Sequence, residues 1–129
     1  MPHLVIQYSE NIEPRIDMKQ LCDQLGDTIC ASDMFPKGGV RVRAYPAAAY
    51  SIADQHPQNA FIDLVLRIGA GRTQDQKRNF GQALIDQVSE ICQDLLAEPH
   101  FALSLEIIEI DPDLSWKVNT IHPRLKSNS

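Results

Sequence analysis

One order of elements, written twice, constrains the fold more than anything else in this chain. An alternating apolar stretch leads into a helical stripe and then into a second alternating stretch. In the first unit His3 to Tyr8 alternates, with Leu4, Ile6 and Tyr8 on one face. Asp17 with Gln20 resembles a capping box, and Met18, Leu21, Cys22, Leu25, Ile29 and Cys30 then fall at helical spacing. Phe35-Pro36-Lys37-Gly38-Gly39 interrupts as a loop, and Val40 to Tyr45 alternates strictly as a second strand. The second unit opens with Ala60 to Ile68, turns at Gly69-Ala70-Gly71-Arg72, and caps a helix with Thr73 and Gln76. Phe80, Leu84, Ile85, Val88, Ile91, Cys92, Leu95 and Leu96 trace one apolar stripe, and Ala102 to Ile110 is the last strand.

These pseudo-repeats, about residues 2–50 and 60–110, predict an α+β fold. Each β-α-β unit makes a right-handed crossover between parallel strands. Two units pairing edge to edge give one four-stranded sheet with two helices on one face. The opposite face is left bare, with Val5, Val65 and Ile108 on it, which argues for an oligomer. At 129 residues the chain reads as one domain, 1–129. Residues 111–129 read as an irregular tail around Trp116, ending in mobile polar residues.

Charge narrows the function. Seventeen acidic against twelve basic residues leave a net charge of −5, without the basic footprint that nucleic-acid binding needs. No apolar run is long enough to span a bilayer, and the first residues do not resemble a signal peptide. Three cysteines, none in a Cys-x-x-Cys, fit reduced thiols in a cytoplasmic protein. The four histidines have no ligand spacing, so no metal site is expected. Gly69-Ala70-Gly71 lacks the remaining residues of a dinucleotide or P-loop fingerprint and reads as a turn.

Four residues carry chemistry. Pro2 follows the initiator Met, whose removal would leave a free secondary amine at the head of a strand; a proline is also simply tolerated there. Arg41 and Arg43 lie two apart on one strand and leave it on the same face, either as solvated side chains or as a pair suited to carboxylates. Arg72 precedes a helix, where a cation meets the positive end of the dipole. An anion between Arg72 and the helix amides would make sense of that choice.

Together these stretches resemble the tautomerase superfamily, and within it the 5-carboxymethyl-2-hydroxymuconate isomerase family. The resemblance rests on Pro2-His3, Ser9-Glu10-Asn11-Ile12, Phe35 to Arg43, Ile68 to Arg72, Leu103 to Ile107 and Trp116-Lys117-Val118-Asn119. It implies an isomerase of homoprotocatechuate catabolism that moves a proton from a dienol to a distal carbon. Pro2 would be the general base and acid, and Arg41, Arg72 and, more weakly, Arg43 would bind substrate. It also implies a di- or tricarboxylate substrate, a homotrimer and no cofactor. The alternatives are another tautomerase activity on a related 2-oxo acid, or a non-catalytic trimeric module binding an acidic metabolite.

Overall fold

The computed structural model describes residues 1–127. The elements are β1 (His3–Ser9), α1 (Met18–Ala31), β2 (Arg41–Ala47), β3 (Ala60–Gly69), α2 (Gln74–Ile91), α3 (Gln93–Leu96), β4 (Phe101–Ile110) and α4 (Ile121–Ser127). Short 3-10 turns occupy Glu10–Ile12 and Lys37–Gly39.

The strands form one sheet in the order β2-β1-β3-β4. Within each unit the strands are parallel, and β1 meets β3 antiparallel, with Val5 opposite Val65. This is the expected joining of two units at their edges. Alternation decides which face is buried: Leu4, Ile6 and Tyr8 stand opposite Leu66, Leu64 and Ile62, and all six are buried. Leu21, Leu25 and Ile29 of α1 and Leu84 and Val88 of α2 close over that face in one core. Each fully buried Leu or Ile contributes roughly 1.5–3 kcal/mol of transfer free energy. The other face carries His3, Val5, Val65 and Ile108, as the alternation requires. Pro46 is accommodated because β2 is an edge strand, where no neighbour needs its missing N–H.

Helix starts follow the caps. Thr73 and Gln76 complete a reciprocal capping box, whereas Asp17 supplies only its own half by accepting from the Gln20 N–H. Two expectations are corrected. The second apolar stripe is not one helix: α2 ends at Ile91, Cys92 leaves helical geometry, and the chain restarts as α3. That break keeps Leu95 buried but turns Leu96 outward, to 43% exposure. The tail is not wholly irregular either. The Asn119 side-chain oxygen accepts from the N–H groups of Ile121 (2.7 Å) and His122 (3.2 Å), which starts α4. The expected mobile end, residues 128–129, lies outside the described residues. No helix among the described residues is long and apolar enough to cross a membrane.

Candidate active site

Sheet pairing brings both halves of the chain to Pro2. The buried Pro2 carbonyl accepts from the Arg41 N–H at 3.1 Å, which starts the β1–β2 ladder. Its neighbour His3 pairs with Arg41 on one side and Arg67 on the other. Because β3 runs antiparallel to β1, the turn after Gly69 arrives at this same end. Gly71 makes that turn at a φ of +112°, a conformation an L side chain rarely takes.

Arg72 is placed by backbone and aromatic contacts. Its guanidinium folds back, so that Nη1 donates to the Gly69 carbonyl at 3.0 Å and Nη2 donates to the Met34 carbonyl. It lies 5.0 Å from the centre of the Phe35 ring, which meets Phe80 edge-on at 5.1 Å. The Thr73–Gln76 box serves the N–H groups of Thr73 and Gln76, and two carbonyls receive the guanidinium. No anion between Arg72 and the helix is needed to explain this residue. Arg72 is a fixed cation with no carboxylate partner among the described residues.

A cleft of about 1020 Å³ opens over this end of the sheet. Met1, His3, Arg41, Arg67 and Arg72 line it from the sheet side, and Trp116, Lys117 and Asn119 line it from the tail. The tail is anchored where Asn119 Nδ2 donates to the Gly38 carbonyl at 2.9 Å. His122 packs so closely on Gly38 that an added Cβ would lie 2.5 Å from its Nδ1. The Trp116 segment therefore forms a wall of the cleft. Met1 also occupies it, with Sδ accepting from Arg41 Nη2 at 4.0 Å and Asn119 Nδ2 at 3.8 Å.

Arg41 and Arg72 thus meet in the lining, while Pro2 is buried behind it between Met1 and His3. Arg43 is not in the lining; it stands one same-face position farther along β2, with Nη1 3.2 Å from His3 Nδ1. In the sequence His3, Lys117 and Asn119 stand only in stretches that carry the resemblance, without a role of their own, and Arg67 stands in none of them. Arg67 had a signal, as the lone cation closing an apolar alternation. Asn119 had one too, two residues before Ile121 and four before Pro123, which is a helix-start pattern.

The electrostatics follow from this crowd of cations. Burial, then Lys117, Arg72 and Arg41 in that order, hold the chain's terminal amine below the usual α-amine range. Burial, then Arg67, Arg41 and Arg43, push His3 down to about 4. His3 is therefore neutral near pH 7. The unfolded chain takes up this proton near pH 6.5 and the folded chain only near 4, so acidification through that window costs stability and the loss levels off below it. An NMR titration of the imidazole is expected to show a midpoint near 4; a midpoint at or above 6.5 would contradict this environment.

The other end of the sheet, where the second unit repeats the plan, is built differently. Ala60 continues an unbroken chain, and Asn11 Nδ2 donates to the Asn59 carbonyl at 2.9 Å across that junction. The strand β4 offers Ala102 and Ser104 beside Phe61 and Asp63, where β2 offers Arg41 and Arg43 beside His3 and Val5. No group of three or more metal-ligating side chains forms among the described residues.

Comparison with known proteins identifies the family. A curated 5-carboxymethyl-2-hydroxymuconate Delta-isomerase from Escherichia coli is 31% identical over 126 residues, covering 98% of this chain and 100% of that protein. The crystal structure of a 5-carboxymethyl-2-hydroxymuconate isomerase from Deinococcus radiodurans R1 superposes with a TM-score of 0.84 at 38% identity, covering 96% of this chain and 93% of that one. A fused 4-OT solved as a symmetric trimer shares the fold alone, with a TM-score of 0.61 at 17% identity over 86% of this chain and 88% of that one. The model of one family, 5-carboxymethyl-2-hydroxymuconate isomerase, matches residues 2–125. With the paired β-α-β units and the cationic cleft at Pro2, these matches place the chain in the 5-carboxymethyl-2-hydroxymuconate isomerase family, a family of tautomerase-fold isomerases.

Proposed function

We propose that the chain, once Met1 is removed, isomerises 5-carboxymethyl-2-hydroxymuconate in homoprotocatechuate catabolism, with Pro2 as the proton carrier. The observation that carries this reading is the cluster of Arg41, Arg67, Arg72 and Lys117 lining one cleft at the head of β1, where burial and three of these cations hold the Met1 amine below the usual α-amine range. A free Pro2 amine would stand one residue further in, beside the same Arg41 and Arg72. One arginine at ~6 Å opposes its protonation by roughly 3 kcal/mol at an effective dielectric of ~20. That corresponds to at most about two pKa units before screening, enough to bring a secondary amine close to neutrality.

The steps balance without a cofactor. The Pro2 nitrogen takes the proton from the 2-hydroxyl, and the oxygen's electrons form the 2-oxo group. The double bonds shift along the chain, and Pro2 returns the proton to a distal carbon. Arg41 and Arg72 hold carboxylates and stabilise the charge that builds on the 2-oxygen. Arg72 is suited to this because it is already immobilised, so little reorganisation is needed as charge develops. The test is loss of dienol absorbance on adding processed protein. No acceleration over buffer would overturn the reading.

We also propose a homotrimer of cytoplasmic single-domain chains, each with one such site. What supports the trimer is the sheet face left bare by both helices and the two free sheet edges, β2 and β4. Closing three sheets around an axis would cover the face and pair the edges. Sedimentation equilibrium at micromolar concentration is expected to give the mass of three chains; a stable monomer would contradict it.

A further inference from the structure

The cleft holds more cations than the isomerisation step uses. Arg41 donates its N–H to the Pro2 carbonyl, and the Arg72 guanidinium and the Met1 nitrogen both lie against Gly69, so these two cations stand at the head of β1. Arg67 lines the same cleft but is not among them; it stands directly opposite His3 across β1 and β3. Its side chain is exposed and has no carboxylate partner among the described residues. Nothing in the packing of the sheet requires a cation there, since alternation would accept any polar residue on that face.

His3 sharpens the point. Arg41 Nη1 lies 3.0 Å from its Nε2, and Arg43 Nη1 lies 3.2 Å from its Nδ1. Both guanidiniums can only donate, and a neutral imidazole has one accepting nitrogen and one N–H. One of the two contacts is therefore donor against donor, so one guanidinium N–H at His3 has no imidazole acceptor. Arg41 shares the cleft with Arg67 and donates otherwise to the Met1 sulfur, so once Met1 is gone an incoming carboxylate would bridge Arg41 and Arg67.

The substrate named above has such a group. A muconate carries a carboxylate at each end, and the carboxymethyl branch adds a third. Resting on that reading of the function, we propose that Arg67 binds the branch carboxylate and is the specificity-determining residue that separates branched from unbranched hydroxymuconates. Arg41 and Arg72 serve the groups common to both compounds. Arg67 serves only the group that differs.

The experiment compares processed wild-type, Arg67→Gln and Arg67→Lys proteins on the branched dienol and on 2-hydroxymuconate. The readout is relative specificity, taken as the ratio of the two kcat/KM values, or as KM against Ki where the unbranched compound only inhibits. Both are measured on one preparation, so any loss of folded protein cancels. In Arg67→Gln the preference for the branched substrate should fall about tenfold or more, mainly through KM. Arg67→Lys should recover part of it, keeping the charge but not the bidentate geometry. If both substrates weaken alike, or neither does, Arg67 contributes only general field and the assignment is wrong. Wild-type protein that turns over neither compound would overturn the proposed function, and this assignment with it.

Discussion

Arg41→Ala and Arg72→Ala should each lower kcat/KM by about one to two decades, because each removes a charged group proposed to hydrogen-bond the substrate, worth roughly 1.5–3 kcal/mol. The two variants should differ in what else they lose. Arg72 also ties the Met34 loop to the end of β3 and stacks on Phe35, so Arg72→Ala should cost about 1–3 kcal/mol of stability as well. Among the described residues Arg41 directs its side-chain hydrogen bonds to His3 and Met1, and its replacement should leave unfolding nearly unchanged. Each loss also removes a charge that opposes protonation of the Met1 amine and, from its place beside Pro2, of the amine that processing exposes. The amine's pKa then rises, and the ascending limb of kcat/KM against pH should move to higher pH in both variants. Arg43→Ala should cost less, because Arg43 addresses His3 and not the cleft. Wild-type activity in Arg41→Ala and Arg72→Ala would show that these guanidiniums do not touch substrate.

Much of this was legible in the chain itself. Period-two alternation placed the strands within a residue or two, and the Thr73–Gln76 box marked the start of α2. Repetition of the unit pointed to the pairing of the halves, since two parallel pairs with one buried face have few ways to join. Other features depended on contacts that sequence spacing does not encode. Arg72 was singled out for its place before a helix, yet its partner at Met34 lies 38 positions away. Arg67 became part of the site only because the β1–β3 register sets it opposite His3. The start of α4 was missed because its seven residues are too few to show an apolar stripe, and only the Asn119 cap announces it. The break at Cys92 has no proline or glycine to signal it.

Retention of Met1 should abolish turnover, and this is the largest effect expected of any change considered. An amide nitrogen has no lone pair available for a proton, so in a Met1–Pro2 chain Pro2 is no base, and the only amine at this end, that of Met1, stands one residue out of place. Met1 also fills part of the cleft, with its sulfur against Arg41 and Asn119. Pro2→Ala is the finer probe. Removal of Met1 from that variant leaves a primary amine in nearly the same place, so a reduced rate with a shifted ascending pKa is expected. An acidic-metabolite binding module would respond differently, since its affinity would come from the arginines and not from the amine.

The most direct measurement is therefore kcat for dienol ketonisation, across pH, on two preparations whose masses differ by the single residue Met1. Processed protein should turn over with a rate that rises through one amine pKa lying below that of a free secondary amine, and Met-retained protein should be indistinguishable from buffer. Full activity in the Met-retained form would contradict the assignment of Pro2 as the proton carrier.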